Sequence, residues 1–290
     1  MKSFLFSLLL LASTSALATQ YEPEKIYLGN GVDEISLKDL AQQTPKGSII
    51  TIGEIHDNVA HHQHQIELIQ ALIDSGHKIA VGLEFFQYPY QEAISAYLDD
   101  QLPLTETDFL KVINWGDNDY GLYREQVKLA YKSSGQVFAL NSPAHLNSKI
   151  KDVGLRGLNN EDRFWLPPSF TLGNDNYFER FKIIMSGHSH RAPEKMTDFF
   201  AAHSLWDDTI AWKVTEAKKK LGNTTLVVII GGFHVDYFGG TPDRILKRSG
   251  VQPIVIAQTS VTNVPQETLA LRIHPHPKYG PRGTFVWTSP

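Results

Sequence analysis

Three short apolar runs along the chain each end in a glycine followed closely by an acid or an imidazole. Ile49-Ile50-Thr51-Ile52 leads into Gly53-Glu54-Ile55-His56, Ile79-Ala80-Val81 into Gly82-Leu83-Glu84, and Leu226-Val227-Val228-Ile229-Ile230 into Gly231-Gly232-Phe233-His234. Runs rich in β-branched residues with little polar alternation predict strands buried on both faces, the pattern of a parallel sheet. Open α/β sheets bind ligands beyond the carboxyl ends of their strands. If the three strands are neighbours, Glu54, His56, Glu84 and His234 converge on one pocket. Glu54 and His56, two apart, project to the same side of an extended backbone.

The rest of the pattern supplies helices between these strands. Residues 19–47 form a lead-in with a hairpin-type turn at Gly29-Asn30-Gly31 and a short helix over 35–40. A helix over 61–75 carries Ile66, Ile69, Leu72 and Ile73 on one face and stops at Gly76. With the strand at 78–84 it makes a β-α-β unit, whose crossover is right-handed and whose strands are parallel. Helices follow over 90–98 and 121–133, the second with Tyr123, Val127, Ala130 and Tyr131 on one stripe, and then a strand over 136–140. Residues 145–195 lose sheet character and become aromatic; a long helix over 193–220 has Phe199, His203, Trp206, Ile210 and Val214 at helical spacing. Strands resume at 225–230 and 253–257, and the proline-rich tail ends in an extended stretch over 284–287. The expected architecture is one α/β domain over 19–290: a mainly parallel central sheet flanked by helices, with a helical insertion at about 100–220 lying over the sheet's carboxyl edge.

The first 18 residues read as a signal peptide. Lys2 supplies a positive start, Phe4 to Ala12 an apolar stretch, and Ala16-Leu17-Ala18 a small-x-small cleavage site. The apolar stretch is too short to cross a bilayer. Cleavage near Ala18 and a periplasmic or outer-membrane-associated location are expected. The chain has no cysteine, so there is no disulfide framework and no lipobox cysteine to carry an anchor. Any haem or metal ligand is therefore His, Tyr, Met, Asp or Glu. A net charge of −4 lacks the basic excess that nucleic-acid binding requires, and no nucleic-acid partner is expected.

Glu54, His56, Glu84 and His234 offer two imidazoles and two carboxylates, a set that suits a divalent ion such as zinc, manganese or iron. The same set suits acid/base hydrolysis, with Glu54 and Glu84 dividing the roles, or a hydrogen-bonded network that merely supports loops. Haem asks for an apolar slot, an axial side chain and cations for its propionates. Tyr237, three residues after His234, is a hard oxygen donor suited to ferric iron; Arg124 and Arg191 are propionate candidates. His188, in the stretch Gly187-His188-Ser189-His190-Arg191, sits in a loop suited to ligand contact. Among His61, His62 and His64 at a helix start, His62 leans to the buried face and His64 away from it. His274 and His276 read as surface residues, the aromatics of 164–181 as core, and Asp207 as a carboxylate that orients a pocket histidine.

Several motifs in order resemble the ChaN-like haem-binding family. They are Gly53-Glu54-Ile55-His56-Asp57-Asn58 with His61-His62, Gly82-Leu83-Glu84-Phe85-Phe86-Gln87, Trp115-Gly116, Leu122-Tyr123-Arg124, Ala139-Leu140-Asn141-Ser142-Pro143, Leu205-Trp206-Asp207-Asp208-Thr209 and His234-Val235-Asp236-Tyr237. The resemblance spans about residues 48–258. That family is similar in fold to the erythromycin esterases and the Tiki/TraB-type metalloproteases. The resemblance implies an exported protein of Gram-negative haem or iron acquisition, with haem as cofactor, an outer-membrane haem receptor as partner and a homodimer with haem at the subunit interface. Three departures stand out: family members are often lipoproteins, Phe233 occupies a position where the family has glycine, and His203 stands where the family favours glutamine. His203 either adds a ligand or fills the same polar role. The competing expectation is a metal-dependent hydrolase, an esterase or peptidase, at the Glu54/His56/Glu84/His234 pocket. Absence of a Gly-x-Ser-x-Gly elbow and of a His-Glu-x-x-His helix favours binding without turnover.

Overall fold

Residues 21–186 and 195–290 are described by the computed structural model. The signal-peptide reading and the loop expected at His188, His190 and Arg191 fall on residues outside the described ones. The strands are β1 (Ile26–Leu28), β2 (Ile49–Glu54), β3 (Ile79–Gln87), β4 (Val137–Asn141), β5 (Thr225–Gly231), β6 (Ile254–Ser260) and β7 (Phe285–Ser289). They form one sheet in the order β1-β7-β6-β2-β5-β3-β4, parallel throughout except for β1 on β7. The three motif-bearing strands are thus immediate neighbours, β5 lying between β2 and β3.

The helices are α1 (Leu37–Gln43), α2 (Val59–Asp74), α3 (Gln91–Leu98), α4 (Glu106–Val112), α5 (Arg124–Ser134), α6 (Ala144–Val153), α7 (Asn160–Phe164), α8 (Asp175–Ser186), α9 (Met196–Leu221), α10 (Thr241–Ser249) and α11 (Gln266–Ile273). Because side chains alternate along a strand, the sheet feeds two cores. Ile50, Ile52, Val81, Leu83, Val227 and Ile229 face α2 and α5, whereas Ile49, Ala80, Leu226, Val228 and Ile230 face α9 and α10. Burial on both faces explains the near-continuous apolar runs.

Two elements differ from the sequence expectation. The tail is not merely extended: β7 pairs with β6 and extends the sheet, and the three-residue β1 of the lead-in pairs with it in turn. The stretch 100–220 is not wholly an overlying insertion, since α5 packs on the sheet and β4 is its edge strand. The helical part that stands over the carboxyl edge is α6 to α8 with the first half of α9, which carry their own apolar clusters.

Candidate functional site

Alternation sends the two acids to opposite faces of the sheet, and the pocket is built where they meet at its rim. Glu54 closes β2 on the α2/α5 side, opposite Gly231 in the ladder. Its Oε1 accepts from His56 Nδ1 at 3.0 Å and from the Tyr123 hydroxyl, and its Oε2 accepts from Gln65 Nε2 at 2.5 Å. Burial pushes the Glu54 carboxyl up, but the donors and the neighbouring His62 outweigh it and hold the carboxyl below its usual range. Asn58 caps α2, accepting from the Ala60 and His61 amides at 3.0 and 3.2 Å, and so sets His61 and His62 directly behind the strand end.

Glu84 sits on the α9 side, with Oε2 accepting the Gly231 amide at 2.6 Å and Oε1 facing His234 Nε2 at 3.5 Å. Burial raises the Glu84 carboxyl. The other ring nitrogen of His234 lies 2.9 Å from Asp207 Oδ1 on α9. Burial works against a charged His234, but Asp207 and Glu84 prevail and raise its pKa. Asp207 also accepts from the Thr241 and Tyr177 hydroxyls at 2.9 and 2.8 Å. Burial disfavours its charge, yet His234, His203 and Arg244 keep the carboxyl well below its usual range. The expected role of Asp207 in orienting a pocket histidine has a direct geometric basis.

The two halves meet across Gly231. A Cβ there would fall 3.0 Å from the His56 ring and 3.5 Å from Glu84. Glu54, His56, Glu84 and His234 therefore converge as the strand pattern implies, as a hydrogen-bonded Glu54–His56 pair and a Glu84–His234 pair in ionic contact at 3.5 Å. His203 joins the second: its ring stacks on His234 at 4.2 Å and its Nε2 lies 2.8 Å from the Tyr177 hydroxyl. Burial pushes His203 down to about 3. Ligand atoms of His203, Asp207 and His234 lie within 4.8 Å of one another, close enough to share an ion.

Tyr237 belongs to a separate wall. A cavity of about 500 Å³ opens at the carboxyl ends of β2 and β6, lined by Glu54, Phe233, Tyr237, Gln258 and three arginines, Arg180, Arg272 and Arg282, with Ile183 and Ile184 at its apolar edge. His234 turns inward to Asp207, while Tyr237, three residues on, contacts His276 and Tyr279. Tyr237 takes a left-handed backbone (φ +57°), and its amide donates to the Arg282 carbonyl at 2.7 Å. Arg282 grips Asp236 with two bonds of 2.9 and 3.0 Å. Burial raises the Tyr237 phenol, with Arg282 and Arg180 pulling the other way.

The remaining candidates are placed as follows. Arg124 spends its guanidinium on Glu106, at 2.7 Å through Nε, and is not on the cavity wall. His276, read as a surface residue, is half-buried, lines the cavity and stacks on Tyr279. His64 corrects its reading: it is 1 % exposed and stacks on Trp287 at 4.1 Å, because β7 covers the helix face that an isolated α2 would leave to solvent. Sequence reasoning missed Gln65 and Tyr123 as partners of Glu54, and Tyr177, Arg180 and Arg282. The helical stripe places Tyr123 in the core, where it lies, but periodicity says nothing of its hydroxyl. Arg282 lies in a tail that carries no pattern at all.

A doubly covered, mainly parallel sheet with acids and imidazoles at its carboxyl rim defines the class: an α/β protein with a rim pocket under a helical cap. The sequence profile described as "Haem-binding uptake, Tiki superfamily, ChaN" matches residues 40–245, and the chain belongs to that family. The structure is similar to that of ChaN of Campylobacter jejuni, described as showing cofacial heme binding, with a TM-score of 0.64 at 18% identity over 90% of this chain and 95% of that one. The type III effector HopBA1 (TM-score 0.48, 13% identity, 87% and 91% covered) and a mutant of erythromycin esterase EreC in its open conformation (0.47, 12%, 82% and 77%) are also similar. No curated protein matches in sequence.

Proposed function

We propose that this protein is an exported haem-binding protein of bacterial haem and iron acquisition, holding haem at Tyr237. The observation that carries the reading is the cavity itself: a tyrosine, an apolar edge and three arginines line one opening of about 500 Å³, within the roughly 300–1,000 Å³ of small-ligand sites. A phenol raised by burial but flanked by guanidinium groups is a hard donor that ferric iron favours. Haem would supply the ferric centre, and Arg272, which reaches the Thr259 hydroxyl at 3.4 Å, stands on the wall where a carboxylate would be neutralised, whereas Arg282 is committed to Asp236. Family membership supports haem as the cofactor, and the ChaN similarity supports the fold that presents it. The apolar, small-x-small amino terminus supports export to the periplasm or the outer membrane. An outer-membrane haem receptor and a second copy of the chain are the partners proposed.

Titrating the purified protein with hemin tests this. A saturable Soret band is expected, and Tyr237→Phe is expected to shift it and weaken binding. A wild-type protein that leaves the hemin spectrum unchanged would sink the proposal.

A second reading, a hydrolase of the rim pocket, is favoured by one arrangement: His234 held between Asp207 and Glu84, with Glu54 and His56 across Gly231. An imidazole between two carboxylates is poised for proton transfer. Metal content of the purified protein and turnover of ester substrates by wild type and Glu54→Gln test it. Equal turnover by the two, or none by either, counts against it.

A further inference from the structure

We propose that Arg180 is the positioning residue for Tyr237, so that the ligand site depends on helix α8 as much as on the loop after β5. The inference rests on the haem reading. Arg180 is buried (7 % exposed), and among the described residues no carboxylate lies within ion-pair distance of it. Burial of a cation is costly, and the nearest opposing charge, Asp236, acts on Arg180 only at a distance while its carboxylate is held by Arg282. The compensation here is unusual. The guanidinium lies over the Tyr237 ring at 4.6 Å and the Phe233 ring at 4.8 Å, and Nη1 donates to the Asp236 carbonyl at 2.7 Å.

That carbonyl belongs to the peptide bond entering Tyr237. Arg180 therefore fixes both the ring and the peptide that sets the ring's direction. The backbone needs such a hold: Tyr237 and the next residue, Phe238, both take left-handed conformations (φ +57° and +55°) that side chains other than glycine disfavour. Gly239 makes the room, since a Cβ there would fall 3.0 Å from Arg180 Nη1 and 3.1 Å from the Tyr177 ring. Arg180 over the Tyr237 ring, with the His276 and Tyr279 rings against it, leaves the hydroxyl as the group of Tyr237 that a ligand would meet. Tyr237 would then hold a haem iron through its hydroxyl oxygen, a donor suited to the ferric state. Phe233 is the second plate of the sandwich, which gives the bulky ring beside His234 a task.

The test compares wild type, Arg180→Lys, Arg180→Met and Tyr237→Phe as full-length protein saturated with hemin. The readouts are the visible charge-transfer absorption of ferric haem, which reports the oxygen ligand, and the rate of haem transfer to apomyoglobin; melting curves report folding separately. Arg180→Met is expected to shift the charge-transfer band and to release haem about tenfold faster, the scale of one desolvated cation–π contact. Arg180→Lys, which keeps the charge without the planar fork, is expected to fall between. If Arg180→Met does not fold, Arg180→Lys carries the comparison. Bands and release rates equal to wild type in the folded Arg180 variants, alongside altered ones in Tyr237→Phe, overturn the inference and leave the haem reading standing. A wild-type chain that takes up no hemin overturns the haem reading and this inference together.

Discussion

His234 donates its Nδ1–H to Asp207 Oδ1 across 2.9 Å, at a point where Asp207 has no exposure to solvent. The carboxylate is held by three donors from three elements: His234 after β5, Tyr177 on α8 and Thr241 at the start of α10. Replacing it with an amide keeps the shape, removes the charge and turns one oxygen into a competing donor. Asp207→Asn is expected to cost about 2–4 kcal/mol in urea unfolding. It is also expected to lower the His234 pKa, since Asp207 is the largest influence raising it. An NMR titration in which His234 is unchanged would show that the contact does not set its protonation.

Acid stability follows from the histidines that the fold keeps neutral. Burial holds His203 at about 3 and His61 at about 4, against 6.5 when exposed. Between pH 6.5 and those values the unfolded chain binds protons that the native chain does not, so stability falls as pH falls. His203→Gln removes one of these contributions. Its unfolding free energy is expected to decline less steeply than wild type between pH 6.5 and about 3 and to match the wild-type slope above pH 7. Parallel declines would mean that His203 is not held neutral.

Much of this arrangement was legible in the sequence because strands buried on both faces cannot hide. Ile49 to Ile52, Ile79 to Val81 and Leu226 to Ile230 specify a parallel sheet by their apolar continuity, and the glycine–acid and glycine–histidine endings mark its carboxyl rim. Adjacency of those three strands did not follow from pattern; β5 comes between β2 and β3 only through long-range pairing. The other half of the site escaped because its signals are not periodic. Arg282 reaches Asp236 from a proline-rich tail, and Tyr123 sits at helical spacing with core residues although its hydroxyl serves Glu54. The burial of His64 is hidden for the same reason, since Trp287, which covers it, is 223 positions away in a strand that the pattern does not place in the sheet.

The Tyr123–Glu54 contact joins two buried groups, 1 % and 4 % exposed. Tyr123→Phe deletes one donor and leaves the carboxylate with His56 and Gln65, so a loss of about 1–2 kcal/mol is expected. Glu54→Gln disturbs every partner at once and is expected to cost more. In a double-mutant cycle the pair should couple by about 1–3 kcal/mol, measured by urea unfolding. Additive losses would show that the hydroxyl and the carboxylate stabilise the fold independently.

Gly53 is where β2 meets the turn that carries Phe233 and His234. A Cβ at this position would fall 2.5 Å from Val235 Cγ2 and 2.9 Å from the Gly232 Cα, so a backbone as well as a side chain would have to move. Gly53→Ala is expected to destabilise by about 1–3 kcal/mol, the range of overpacked cores. Because the displaced turn holds His234 3.5 Å from Glu84, the His234 pKa should also fall, to be followed by NMR. Gly232→Ala is the control, for its Cβ would meet nothing nearer than the Glu54 carbonyl oxygen at 3.4 Å. It is expected to cost well under 1 kcal/mol, the usual scale where no packing is disturbed. Equal losses in the two variants would place the sensitivity in the turn's own conformation rather than in its contact with β2.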